Sequence, residues 1–448
     1  MHLIFENVVK HLISLWTGGI DGVRGDFQFE KLSVWQGVGE ATEGSGRHIP
    51  SVFGARPPNC AEPKGAATAD TWSFWLLYLG PVHLTKCFRR KEFYTHFVRL
   101  AELVNECLLF QSSRQQVGEI REGFIEWVNM FERIYYEHNP AHLPACTLNI
   151  HALLHIADSI EAMGPVWTYW AFPMERFCGR LQSSLRSRRD PWSNLNERVV
   201  AIARLDQIKL KYGLDDELSL RRTRTAMPSG HFRHPRYPTC ILLPRTRSTV
   251  EEAELDKINI HLQTRYGVRH RIIRKYLSTN NVKQYAGIRR LADGDDMFAA
   301  SMVCETEDYR DATFVKYDLL VDQHADDPNA EEEFVAQAFY GQLKHIFLVT
   351  LPAAARKDLD CSDDDNAEEE TEEDPIILFL AGIQTCNTED DPEIPNPVYT
   401  TMGRYEVVDV HSIECLIGRT PRKGSRHRWA IIDRSSAINR SIYIPDAM

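Results

Sequence analysis

The chain has 448 residues, a formal net charge of −11, and a composition that is 43% hydrophobic and 26% charged. This is the balance of a folded protein, and the length allows two or three units with cores of their own. Ten cysteines include no Cys-x-x-Cys pair, which argues against a zinc ribbon or a disulfide framework and for a reducing compartment.

The longest apolar stretches, residues 72–81 and 376–383, fall short of the roughly 20 residues that cross a bilayer. Residues 1–20 lack the order of a secretory signal, so no membrane partner is expected. The opening run MHLIFENVVKHLISLW reads as a helix. Residues 17–64 are rich in Gly and Pro and predict a long irregular connection, with one short apolar piece at 32–35. A helix begins at Thr68 or Asp70 as N-cap and runs to a stop at Gly80-Pro81. Further helices are predicted over 91–110, 114–136, 147–163 and 194–212. In the second of these Val117, Ile120, Phe124, Trp127, Val128, Phe131 and Ile134 make one apolar stripe. Residues 1–220 therefore read as a helical bundle.

Residues 221–248 are rich in Pro, Arg and His and predict a linker, with Pro228, Pro235, Pro238 and Pro244 as breakers. One more helix follows, capped by Ser248 with Glu251 at its third position and closed by Gly267. Beyond Val268 the apolar period shortens to two. Strands are predicted over 297–305, 312–321, 339–350, 376–384, 405–409 and 429–433, which makes residues 249–448 a small β-rich barrel or sandwich. The whole is an α+β protein. The acidic run 357–374 reads as a disordered insertion between two strands, and it has no glycine where an EF-hand would turn. The basic run 421–428 reads as a hairpin loop.

The chemistry-bearing residues gather in the fifth predicted helix and just beyond it. Ile150, Leu153, Leu154, Ile156, Ala157 and Ile160 recur at helical spacing up to Gly164-Pro165; then Trp167, Tyr169, Trp170 and Phe172 precede Glu175-Arg176. His151 and His155 stand four apart, the spacing of a metal pair, although Ala152 occupies the place of a zinc protease's glutamate. The plainer reading has both imidazoles hydrogen-bonded inside the bundle or to Glu175. Between Arg176 and Arg247 basic residues outnumber acids. Arg180, Arg186, Arg188 and Arg189, with Trp192 beside them, are candidates for DNA contact, because guanidinium groups match phosphates and an indole can stack on a base. A solvated helix face is the plainer alternative.

His151, His155, Gly164, Pro165, Trp167, Phe172, Pro173, Glu175, Arg176 and Gly179 together resemble the region that follows the catalytic core in CACTA-type (En/Spm) transposon transposases. The opening MHLIFENVVKHLISLW resembles the helix after that family's Asp-x-Met-His element, and with the basic stretch the likeness covers about half the chain. The resemblance implies a nuclear, transposon-derived protein whose intact relatives use Mg²⁺ for phosphoryl transfer. It offers Glu175 as a third carboxylate, with an ion pair to Arg176 or Arg180 as the plainer reading. The family's two catalytic aspartates precede the Met-His element, so no cofactor and no nuclease activity are expected of this polypeptide in isolation. Self-association, or a partner supplying the catalytic region, would complete it. A domesticated, non-enzymatic adaptor is the rival reading, and a metal-dependent hydrolase built on His151, His155 and Glu175 is a third.

Overall fold

The computed structural model describes residues 2–62, 67–183, 185, 189–215, 217–218, 228–247, 249–291, 295–324, 331, 333–359, 374–422 and 427–435. The opening segment forms a π-helical turn, His2–Val8, that passes into helix α1 (Val9–Thr17). Val8, Val9, Leu12, Leu15 and Trp16 are buried, and Gly18 ends the helix at φ 74°. The stretch expected to be irregular carries α2 (Leu32–Ser45). Its glycines mislead the reading. At Gly39 a side chain would lie 2.0 Å from Asn59 Oδ1, so glycine serves close packing there and not a turn.

Thr68 caps α3 (Ala69–Phe74), accepting a bond from the Thr71 backbone N–H. The chain then continues through a π turn (Trp75–Leu79) into α4 (Gly80–His83), so Gly80-Pro81 is no stop. Pro81 falls in the first turn of α4, where its missing N–H costs nothing. Helices α5 (Lys91–Cys107) and α6 (Arg114–Phe131) follow the sequence, α6 with a full Ser113–Gln116 capping box. The predicted helix over 147–163 is broken into α7 (Leu148–Ala152), a 3₁₀ turn and α8 (Ile156–Met163). Two further helices, α9 (Phe172–Ser183) and α10 (Pro191–Tyr212), lead away from the bundle. The bundle's centre is aromatic: Trp16, Trp75, Phe97, Trp127, Phe131 and Tyr135 are all buried, and the Trp16 indole donates to Tyr135 Oη at 3.1 Å.

Among the described residues a single antiparallel sheet of ten strands follows, curled on itself and not split into two. Strand β1 (Cys240–Arg247) lies inside the predicted linker. Pro244 is tolerated because β1 is an edge strand whose register with its neighbour shifts between Leu243 and Thr246, with Arg245 at φ 77°. Helix α11 (Glu252–Tyr266) is capped by Glu251, in a box with Glu254, in place of Ser248, which lies outside the described residues. After α12 (His270–Arg274) come β2 (Val282–Arg290), β3 (Asp296–Phe298), β4 (Phe314–Asp322) and β5 (Phe334–Leu351). A short helix, α13 (Ala355–Leu359), precedes β6 (Ile376–Glu389); most of the acidic run between them lies outside the described residues. The remainder is β7 (Val398–Asp409), β8 (Ile413–Leu416), β9 (Gly418–Pro421) and β10 (Trp429–Ile432), with β9 and β10 paired across the basic hairpin. Strand order is β1-β2-β5-β6-β7-β10-β9; β3 adds to β2, and β4 bridges β5 and β8.

The helices and the sheet share a core. Ile394, Val398, Ala430 and Ile432 belong to the same buried cluster as Trp16 and Phe131. The seam is built on the 17–64 segment: the Arg310 guanidinium donates to the carbonyls of Ile49, Pro50 and Gly54 at 2.8, 2.8 and 2.7 Å. The Asp311 and Arg419 backbone N–H groups donate to Arg47 and His48 carbonyls, and His48 meets Trp429 edge-on at 4.7 Å.

Candidate functional site

Gly164, at φ 86°, ends α8, and the Thr168 hydroxyl closes the turn by donating to the carbonyls of Met163 and Pro165. The aromatic segment beyond it folds back along the bundle. The Trp167 indole donates to the Phe110 carbonyl at 3.1 Å, and the rings of Trp170 and Phe172 meet at 5.1 Å. Between this turn, the π-helical first turn of the chain and the end of α5 lies an apolar cavity of about 240 Å³, walled by Phe5, Leu108, Ile156, Tyr169, Trp170 and Phe172. The aromatic load is thus only partly buried, with Trp167 40% and Tyr169 37% exposed.

Glu175 stands in the first turn of α9, whose described residues include none that is buried. Its carboxylate pairs with the His2 imidazole at 3.4 Å, not with Arg176 or Arg180. His2 is shared with Glu6, and the two carboxylates, Glu6 foremost, raise its pKa. An imidazole held between two carboxylates is a proton-sharing cluster, not the array of converging oxygens that Mg²⁺ requires. The donor set around Glu175 therefore does not fit the paired-metal centre that the family resemblance implies.

His151 and His155 are both solvent-exposed, with Nε2 atoms 3.4 Å apart and rings crossing at 5.1 Å. His155 Nδ1 also lies 3.5 Å from Asp158, whose carboxylate is held below its usual range first by Arg121 and then by His155. Neither ring reaches Glu175. Among the described residues no third His, Cys, Asp or Glu joins this pair to complete a metal site.

Of the arginine candidates, Arg186 and Arg188 lie outside the described residues, while Arg180 is in the last turn of α9 and Arg189 just precedes α10. Trp192, at the start of α10, is 81% exposed. Helix α10 has no buried residue over 22 positions. The spacing places Ser193, Asn196, Val200, Arg204, Gln207 and Lys211 on one face, and all six are exposed. Arg204 and Lys211 are two turns apart, about 10 Å along the axis. Among the described residues neither has an acidic partner, nor have Arg198 and Lys209. The sequence signal for this face, polar residues at intervals of three and four, was present but masked by the evenly scattered apolar residues of the same helix.

No protein-family model, curated protein or solved structure matches the chain. The likeness to CACTA transposases therefore rests on the motif residues alone.

Proposed function

We propose that this protein is a transposase-derived scaffold that contacts DNA through α10 and does not itself cut it. The observation that carries the reading is a 22-residue helix with no buried residue. Most of a helix's stability in a protein comes from packing one face, and α10 is at most half-buried along its length, so a surface laid against its exposed face would add to what holds it. A helix is also the element whose width suits the major groove. The exposed face of α10 offers what a duplex takes up: Arg204 and Lys211 for phosphates, with Ser193, Asn196 and Gln207 as hydrogen-bonding groups between and beside them. Trp192 and Arg189 extend the surface at its N-terminal end, towards the arginines that the sequence singles out.

Backbone contacts of this kind release counterions, each contributing roughly 0.9 to the slope of log affinity against log salt. Titrating a fluorescent duplex at several salt concentrations should give a negative slope of several contacts, and Arg204→Ala with Lys211→Ala should reduce it by about 2. An isotherm indifferent to salt, or unchanged by the double substitution, would refute the assignment. Incubation of plasmid DNA with Mg²⁺ or Mn²⁺ should leave it intact. Divalent-dependent cleavage lost on Glu175→Ala would restore the nuclease reading.

A further inference from the structure

Strands β4 and β5 pair along their full common length, from Phe314 opposite Gln342 to Asp322 opposite Phe334. Their neighbours are shorter. Strand β6 reaches β5 only from Gly341 onward, and β8 covers β4 only from Val315 to Tyr317. Beyond those points, among the described residues, the pair continues as a two-stranded ribbon. Residues 334–338 of β5 are exposed one after another, Phe334 and Val335 by 57% and 40%, while on β4 Leu319 still packs against the sheet core. The ribbon's end is nonetheless tied: the Asp322 carboxylate accepts from the backbone N–H groups of His324 and Glu333, and the Gln323 N–H donates to the Glu333 carbonyl.

A lone two-stranded ribbon is marginal in water and gains stability from a third strand. Its two open edges differ in charge. Along β4 the free edge reads DLLVD, and pairing it with itself about a twofold axis would oppose Asp318 to Asp322. Along β5, residues 334–340 read FVAQAFY, with no charge and no proline, the devices that usually keep strand edges apart. The free stretch is seven residues long and symmetric about Gln337. An antiparallel copy of itself fills it completely and ends where β6 begins.

We propose that residues 334–340 pair antiparallel with the same residues of a second copy, about a twofold axis at Gln337, joining two ribbons into one of four strands. This register sets Phe334 opposite Tyr340 of the second copy and Val335 opposite Phe339, the aromatic and β-branched pairings that stabilise sheets. It sets Gln337 opposite itself. The inference is independent of DNA contact by α10, which lies in a different part of the chain.

The register makes a charge-swap test available. Sedimentation equilibrium on the full chain should show a dimer at concentrations up to about 100 µM. Gln337→Lys and Gln337→Glu, each folded by circular dichroism, should each weaken self-association by up to about fivefold, because like charges then face each other. Mixing the two variants in equal amounts should restore the dimer. Hydrogen exchange on the unmodified protein gives a second measure: amides within 334–340 should be protected at high concentration and lose that protection on dilution. A monomer throughout the range, a dimer indifferent to both substitutions, a mixture that does not recover, or exchange independent of concentration would each overturn the proposal.

Discussion

His96 shows how one buried side chain ties the stability of the bundle to pH. Its Nε2–H donates to the Trp127 carbonyl at 3.0 Å, the Trp127 indole donates back to the His96 carbonyl at 2.9 Å, and the two rings stack at 4.1 Å. Burial holds the imidazole neutral and lowers its pKa to about 4, the bond to Trp127 offsetting only part of the shift. In the unfolded chain the same group titrates near 6.5. Below pH 6.5 the unfolded chain therefore takes up a proton that the folded one refuses; stability falls from pH 6.5 to 4 and the loss levels off below. Above pH 6.5 both states are neutral and the contribution is flat. The loss from this residue should reach about 3 kcal/mol. Urea midpoints measured across this range for the natural protein and for His96→Gln, whose amide can still donate to Trp127, should differ in slope by that amount. Parallel curves would show that another group carries the acid sensitivity.

At the scale of elements, α6 and α10 have similar length and opposite roles. Phe131 at the end of α6 is fully buried among Trp127, Tyr135 and His96, and Phe131→Ala should cost about 3–5 kcal/mol through the cavity it leaves. Leu210 in α10 is 85% exposed, and Leu210→Ala should change stability by no more than about 0.5 kcal/mol. Thermal unfolding of both variants checks the contrast, and a Leu210→Ala loss above about 1.5 kcal/mol would mean that α10 is packed in the free protein. The periodic apolar stripe of α6 was legible in the sequence because it is buried against one core. Helix α10 was legible as a helix over 194–212, whereas α9 was read only as the end of an aromatic turn; the exposure of α10 was not legible, since nothing in a sequence records that an apolar residue such as Trp192 or Leu210 stays in solvent. Glycine and proline misled in the opposite direction: Gly39 and Gly80 serve close approach to Asn59 and Phe97, and Pro244 serves a bulge. The sequence reading set Glu175 beside an aromatic turn and offered Arg176 or Arg180 as its partner. Its partner, His2, is 173 positions away and could not be found by spacing.

At the scale of the whole molecule, the question is whether helices and sheet unfold as two units or one. Their composition argues for two, since the apolar period changes near Val268. Their packing argues for one. Ile432 is fully buried in the helical core, and a methyl group on Gly418 would come within 2.9 Å of Ile49, so the β9–β10 hairpin and the 17–64 segment are closely fitted across the seam. Arg310 fastens three carbonyls of that segment at once, which a single ammonium could not do in the same geometry. Removing it leaves those carbonyls without a charged donor, at a cost of about 3 kcal/mol. Calorimetry of the natural protein should give one transition whose van't Hoff and calorimetric enthalpies agree. Arg310→Ala should lower that transition, and Arg310→Lys should recover only part of the loss. If instead the melt divides into two steps and Arg310→Ala merely moves them apart, the shared core contributes little, and the helical and β-rich parts are separate folding units after all.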